Sequence, residues 1–232
     1  MLQANSFRRS VLEKLIIWDF DGVVADTEKL WLEMELDVFN RHLGLNWDFD
    51  TINHYLAGQA FSRQLEVLAG LGIFPTIETM QEIGVRCYQL IDEGFDRTDG
   101  IDEVLKLKGY KHAMGTGGDF KETLAKIKAV GLEKVFTADN LVTIDFVKHG
   151  KPAPDTFLLA AKIMGFEPKD CIVIEDSIAG LKAGLAAGME TICFAGSEMY
   201  KNNKEHLALV KELGIEHTFK SMYELGDYLK RK

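Results

Sequence analysis

Long apolar runs are missing from this 232-residue chain. The apolar stretch Leu15–Trp18 is too short to cross a bilayer and stops at acids, and Arg8 and Arg9 precede no adequate hydrophobic core of a signal peptide. Positive charge is also scarce: 27 Lys and Arg against 36 Asp and Glu leave a formal net charge of −9. Nucleic-acid binding needs an electropositive footprint, so no nucleic-acid partner is expected, and no membrane partner either. Cysteine is limited to Cys87, Cys171 and Cys193, an odd set without paired or metal-like spacing. Cys171 and Cys193 fall in apolar, strand-like runs and read as buried free thiols, which fits a reducing, cytoplasmic location. The six histidines are scattered without metal-ligand spacing, and His149 reads as solvent-facing. No repeat or low-complexity segment stands out. Residues 1–12 read as a loose leader, and Lys230-Arg231-Lys232 as a solvated tail.

What is present is a normal globular balance, 47% hydrophobic and 27% charged, in a chain long enough for one large core or a core with an appendage. Five short apolar runs read as buried strands: KLIIWD (14–19), KHAMGT (111–116), NLVTID (140–145), CIVIED (171–176) and METICFA (189–195). Helical patterns over 120–131, 154–165 and 178–188 separate the later ones. Strands alternating with helices predict an α/β fold, a Rossmann-like parallel sheet with helices on both faces. Residues 27–96 break the alternation, with helix-like segments and no convincing strand, and read as an inserted α-helical cap domain. The catalytic core would then comprise 1–26 and 97–232. Gly180, Gly184 and Gly188 recur every fourth residue and predict close backbone approach to the sheet.

The stretch LIIWDFDGVVADTE (15–28) drives a buried strand straight into Asp19 and Asp21. Asp19 ends the first strand, Thr116 the second and Asp176 the fourth, while Lys151 sits in the loop GKPAPD. Ligands of open parallel sheets bind beyond the carboxyl ends of the strands, so these residues should converge. Carboxylates crowded at an apolar sheet mouth need a cation. A hard divalent ion, Mg²⁺, would neutralise Asp19, Asp21 and Asp176. Lys151 adds an ammonium, Thr116 a hydroxyl, and Gly117 and Gly118 uncovered amides for an anion. Metal, ammonium, hydroxyl and amides together suit a phosphoryl group.

In this order, DFDGVVADT, Thr116, KPAPD and IEDSIAGLKAGLAAGM resemble the four motifs of the haloacid dehalogenase-like superfamily, in its phosphatase and β-phosphoglucomutase branch with a helical cap. The resemblance implies a phosphoric monoester hydrolase in which Asp19 attacks phosphorus to form an aspartyl-phosphate and Asp21 is the general acid–base. It further implies Mg²⁺ held by Asp19, Asp176 and the Asp21 carbonyl, with Glu175 orienting a metal-bound water, and Thr116 and Lys151 holding the phosphoryl group. Glu175 is also readable as a cap for the helix starting near Ser177, and Asp26 as a brace for the turn or the cap helix. LAGQAFSRQL (56–65) resembles the cap loop that faces the active site, which makes Arg63 either a substrate contact or a surface arginine.

Two departures matter. The second motif reads TGG, without the usual Ser or Asn after its threonine. Trp31 stands where β-phosphoglucomutase-like proteins carry a histidine ten residues after the second Asp. The expected activity is therefore hydrolysis of a small phosphorylated metabolite such as a sugar phosphate, ahead of a phosphomutase. A receiver-like phosphate sensor is the alternative from another class, against which stand the cap and the complete acid–base and metal set. A monomer or weak homo-oligomer is expected.

Overall fold

A computed structural model describes residues 13–232; the loose leader expected over 1–12 lies outside the described residues. Its centre is a six-stranded, all-parallel sheet in the order β3-β2-β1-β4-β5-β6. The strands are β1 (Lys14–Trp18), β2 (Tyr110–Gly115), β3 (Leu141–Val142), β4 (Cys171–Glu175), β5 (Glu190–Phe194) and β6 (His217–Phe219). This is the doubly wound Rossmann order, whose chain path reverses beside β1 and opens a crevice there.

Alternation along the strands builds two cores, one on each side of the sheet. Ile16, Trp18, Met114, Ile172 and Ile174 share one cluster. Leu15, Ile17, Ala113 and Val173 share the other with Phe157 and Ala160. Every residue of β4 is buried, as a central strand covered on both faces requires. The helices of this unit include α5 (Ile101–Leu105), α6 (Phe120–Ala129), α7 (Asp155–Met164), α8 (Ile178–Ala186), α9 (Lys204–Glu212) and α10 (Met222–Lys230).

Between β1 and α5 lie four helices: α1 (Glu28–Leu43), α2 (Phe49–Leu56), α3 (Phe61–Gly70) and α4 (Ile77–Glu93). They bury a cluster of their own, including Leu32, Val38, Phe39, Ile52, Leu56 and Leu68. The chain leaves and re-enters the sheet unit side by side, through a bridge between Ala25 and Arg97 and a 2.8 Å bond from Thr98 N to Val24 O.

Several sequence expectations need adjusting. The strand expected over 140–145 shrinks to two residues at the sheet edge, because Asp145 Oδ2 accepts from Phe120 N at 2.7 Å and the chain turns into a 3₁₀ segment, Ile144–Phe146. The glycine series divides by role. A Cβ on Gly180 would overlap the Glu175 carboxylate and one on Gly184 would overlap Thr191, whereas Gly188 lies past the end of α8 with φ +69° and nothing within 4 Å. Gly188 terminates the helix and packs against nothing. Helices α2, α5, α9 and α10 and strand β6 carry no sequence expectation above. All three cysteines are free thiols, Cys171 and Cys193 buried.

Candidate active site

The turn after β1 is wound tightly. Phe20 O accepts from the amides of Val23, Val24 and Ala25, and Gly22 N donates to Ala25 O at 2.7 Å. Gly22 has φ +78°, and a Cβ there would overlap the Asp176 carboxylate. Only glycine lets the β1 turn and the end of β4 come this close. One oxygen from each of Asp19, Glu175 and Asp176 lies within 4.8 Å of the others, and all three residues are buried. Burial and the neighbouring Glu175 charge push Asp19 up to about 8, and burial with Glu175 and Asp19 raises Asp176. Three crowded carboxylates of all-oxygen character, with a cradle that a Cβ would fill, fit a hard divalent cation.

Lys151 Nζ bonds to Asp19 Oδ1 and, at 2.7 Å, to Glu175 Oε2. Glu175 divides its duties. Its Oε1 accepts from the amides of Asp176 (3.0 Å) and Ser177 (2.9 Å) and from the Ser177 hydroxyl (3.0 Å), while Oε2 holds the lysine. Burial alone would raise its pKa, but the Lys151 charge and these bonds outweigh it and hold Glu175 below the usual range. Ser177 Oγ in turn accepts from Gly180 N at 3.0 Å and caps α8. Both expectations for Glu175, helix-end brace and member of the acidic cluster, therefore describe one side chain.

Asp21 faces the opposite way, toward the helical insert. Its Oδ1 accepts from Thr27 Oγ1 (2.5 Å), Trp31 Nε1 (2.6 Å) and Lys126 Nζ (3.1 Å), and Oδ2 from Lys126 at 3.0 Å. Burial pushes Asp21 up, yet the Lys126 ammonium and these donors overcome it and leave its pKa lowered. Lys126 is itself 3% exposed, bridges Asp21 and Glu122 (2.7 Å), and stands 4.4 Å from the centre of the Trp31 ring. The sequence reading missed it. Its signal was the Glu122/Lys126 spacing on α6, which ordinarily marks a surface ion pair.

Thr116, just past β2, is buried, and its Oγ1 accepts from Gly118 N at 3.3 Å. The Gly118 amide is thus taken by the neighbouring hydroxyl, contrary to the expectation that it is uncovered. Asp119 caps α6 directly after this loop, its Oδ1 accepting from Glu122 N. Asp26 Oδ2 accepts from Glu198 N at 2.7 Å, which ties the entry to the insert to the loop after β5.

One cavity of about 390 Å³ lies between the sheet unit and the helices of the insert. Asp19, Asp21, Thr116, Gly117, Gly118, Lys151 and Asp176 reach it from the sheet side. Glu28, Trp31, Glu35 and Gln64 reach it from the insert. Arg63 does not. It is exposed and paired with Glu66 along the outer face of α3, while its neighbour Gln64 turns inward. Helical phase explains the correction, since adjacent residues point about 100° apart.

A profile of haloacid dehalogenase-like hydrolases matches residues 13–188. The chain belongs to that family. It is 33% identical to the fructose-1-phosphate phosphatase YqaB of Escherichia coli over 181 residues, 76% of this chain and 94% of that one. It is 31% identical to a phosphorylated carbohydrates phosphatase of Thermotoga maritima over 182 residues, 76% of this chain and 82% of that one. A haloacid dehalogenase family hydrolase from Deinococcus radiodurans, solved with bound phosphate and sodium, superposes with a TM-score of 0.69 at 26% identity, covering 93% and 94% of the two chains. The protein is accordingly a haloacid dehalogenase-like phosphatase. Among the described residues no helix is long and apolar enough to cross a membrane.

Proposed function

We propose that this phosphatase is Mg²⁺-dependent, hydrolyses a small sugar phosphate through an aspartyl-phosphate on Asp19, and uses residues 27–96 as a cap over a core formed by 1–26 and 97–232. The observation that carries this reading is the clustering of Asp19, Glu175 and Asp176, with Lys151 bonded to two of them, beside a cavity that Asp19, Asp176, Lys151 and Thr116 line together. The sugar assignment draws support from the named substrate of the E. coli relative.

In this reading an Asp19 oxygen attacks phosphorus as the bond to the leaving oxygen breaks, and Asp21, once it has left Lys126 and taken up a proton, gives that oxygen its proton. Asp21 then takes a proton from water, the water oxygen attacks phosphorus, and Asp19 is released with inorganic phosphate. Lys151 and Thr116 hold the phosphoryl oxygens. Asp19, Asp176 and the Asp21 carbonyl would hold Mg²⁺, whose charge offsets repulsion between carboxylate and phosphate when it is bound. Glu175 keeps Lys151 in place and contributes the third carboxylate of the cluster.

Hydrolysis is preferred over phosphomutase chemistry by the charges of the cavity. A mutase must hold a second phosphate as well, and beyond Lys151, which serves the transferring phosphoryl group, the other lysine that lines the cavity, Lys126, is engaged by Asp21 and Glu122. The test is phosphate release from a sugar-phosphate panel in Mg²⁺ and in excess chelator. Turnover is expected only with the metal; equal release in chelator would remove Mg²⁺ from the account.

A further inference from the structure

Where the cavity meets solvent, it is edged by an apolar stripe for which the chemistry above has no use. Ser62, Met80, Gly84 and Asp119 line the cavity and are exposed, so it opens between α3, α4 and the loop after β2. Of the twelve large apolar side chains exposed among the described residues, six lie between Leu71 and Tyr88, on α4 and the turn before it. Single exposed apolar residues are normal, but such a concentration beside a cavity mouth marks a contact surface. On α4 the positions Ile77, Met80, Gly84 and Tyr88 fall three or four apart and share one helical face.

Gly84 is the odd member of that face. Glycine destabilises a helix interior, so its presence there calls for a reason. Close packing supplies one at Gly180 and Gly184, where a Cβ would overlap Glu175 or Thr191. At Gly84 that reason fails: a Cβ would meet nothing within 4 Å. Because Gly84 lines the cavity, the open space beside it is the cavity mouth. The missing side chain leaves a notch of bare backbone, with Met80 one turn before it and Tyr88 one turn after, 40% and 45% exposed. Phe61 of α3 and Ile144 line the same cavity.

These surfaces restrict what the notch can hold. Bare backbone accepts a flat group at close range, and a thioether and a phenol ring both make favourable contacts with an aromatic ring. Burial, then the charges of Asp119 and Glu122, raise the Tyr88 phenol, and the same two carboxylates line the cavity and disfavour an anionic group.

We propose that Gly84, between Met80 and Tyr88, forms an aglycone site at the cavity mouth, which takes an aromatic group attached to the sugar at the end away from the phosphate. This inference rests on the sugar-phosphate reading above and goes beyond it, because it gives the substrate an apolar part that a free sugar phosphate lacks.

The test compares kcat/KM in Mg²⁺ for phenyl β-glucoside 6-phosphate and methyl β-glucoside 6-phosphate, which share one sugar phosphate and differ in the aglycone. p-Nitrophenyl phosphate reports phosphatase chemistry independently. The phenyl glucoside is expected to exceed the methyl glucoside by at least about 10-fold, since even one methylene in an apolar pocket discriminates on that scale. Gly84→Leu fills the notch and should bring the ratio close to one, chiefly through KM for the phenyl compound. The substitution enters open space on a helix, and thermal unfolding should show a midpoint no lower than the parent's. A ratio near one in the parent, or a preference that survives Gly84→Leu, overturns the aglycone site. If p-nitrophenyl phosphate is cleaved in that case, the phosphatase reading stands. Failure to release phosphate from any of the three esters overturns both.

Discussion

The two walls of the cavity are built on opposite principles. On the sheet side every charge but that of Asp176 is paired in advance: Lys151 spans Asp19 and Glu175, Glu175 braces the start of α8, and Lys126 holds Asp21. On the helical side the cavity is lined by Glu28, Trp31, Leu32, Glu35, Gln64 and Ile83, with no lysine or arginine of the insert among the described lining residues. A reacting phosphoryl group needs alignment set in advance, which pre-paired side chains on rigid strand ends provide.

Lys126 is where the two walls meet, so it offers the sharpest way to break this comparison. Lys126→Met strips the part-buried Asp21 and Glu122 carboxylates of their buried counter-charge and should destabilise the fold by about 2 kcal/mol. It should also lower kcat/KM about 100-fold, the scale of a misplaced acid–base group. Chemical denaturation and phosphate-release kinetics read the two effects separately. A variant as stable and as active as the parent would show that Asp21 is held by Thr27 and Trp31 alone.

At the small end stands Arg63→Ala. The side chain is exposed and its partner Glu66 lies on the same outer face, so kcat/KM should change less than about twofold. A tenfold loss in the same kinetic assay would mean that α3 turns its Arg63 face to the substrate.

The sheet wall was legible in the sequence because a short parallel strand announces its own end. Once Leu15–Trp18 and Cys171–Glu175 read as buried strands, Asp19 and Asp176 could only lie at the crevice. The helical wall offered no such marker. The period of α3 constrains which residues share a face but not which face turns inward, and a loop resemblance drew attention to Arg63 when the inward residues were Gln64 and Leu68. Lys126 was hidden for a related reason. A lysine four residues after a glutamate reads as a solvated pair, and only the approach of Asp21 and Trp31 from the other side of the turn makes it a buried cation. Strand β6, three residues long and only partly buried at the sheet edge, has too little pattern to stand out.

The central claim is that Asp19 carries the phosphoryl group between substrate and water. Rapid quenching during turnover into borohydride reduces an aspartyl-phosphate to homoserine, which mass spectrometry locates within the peptide containing Leu15–Thr27. Homoserine at position 19 is the predicted result. Homoserine at position 21, or at a carboxylate outside this turn, would contradict the account.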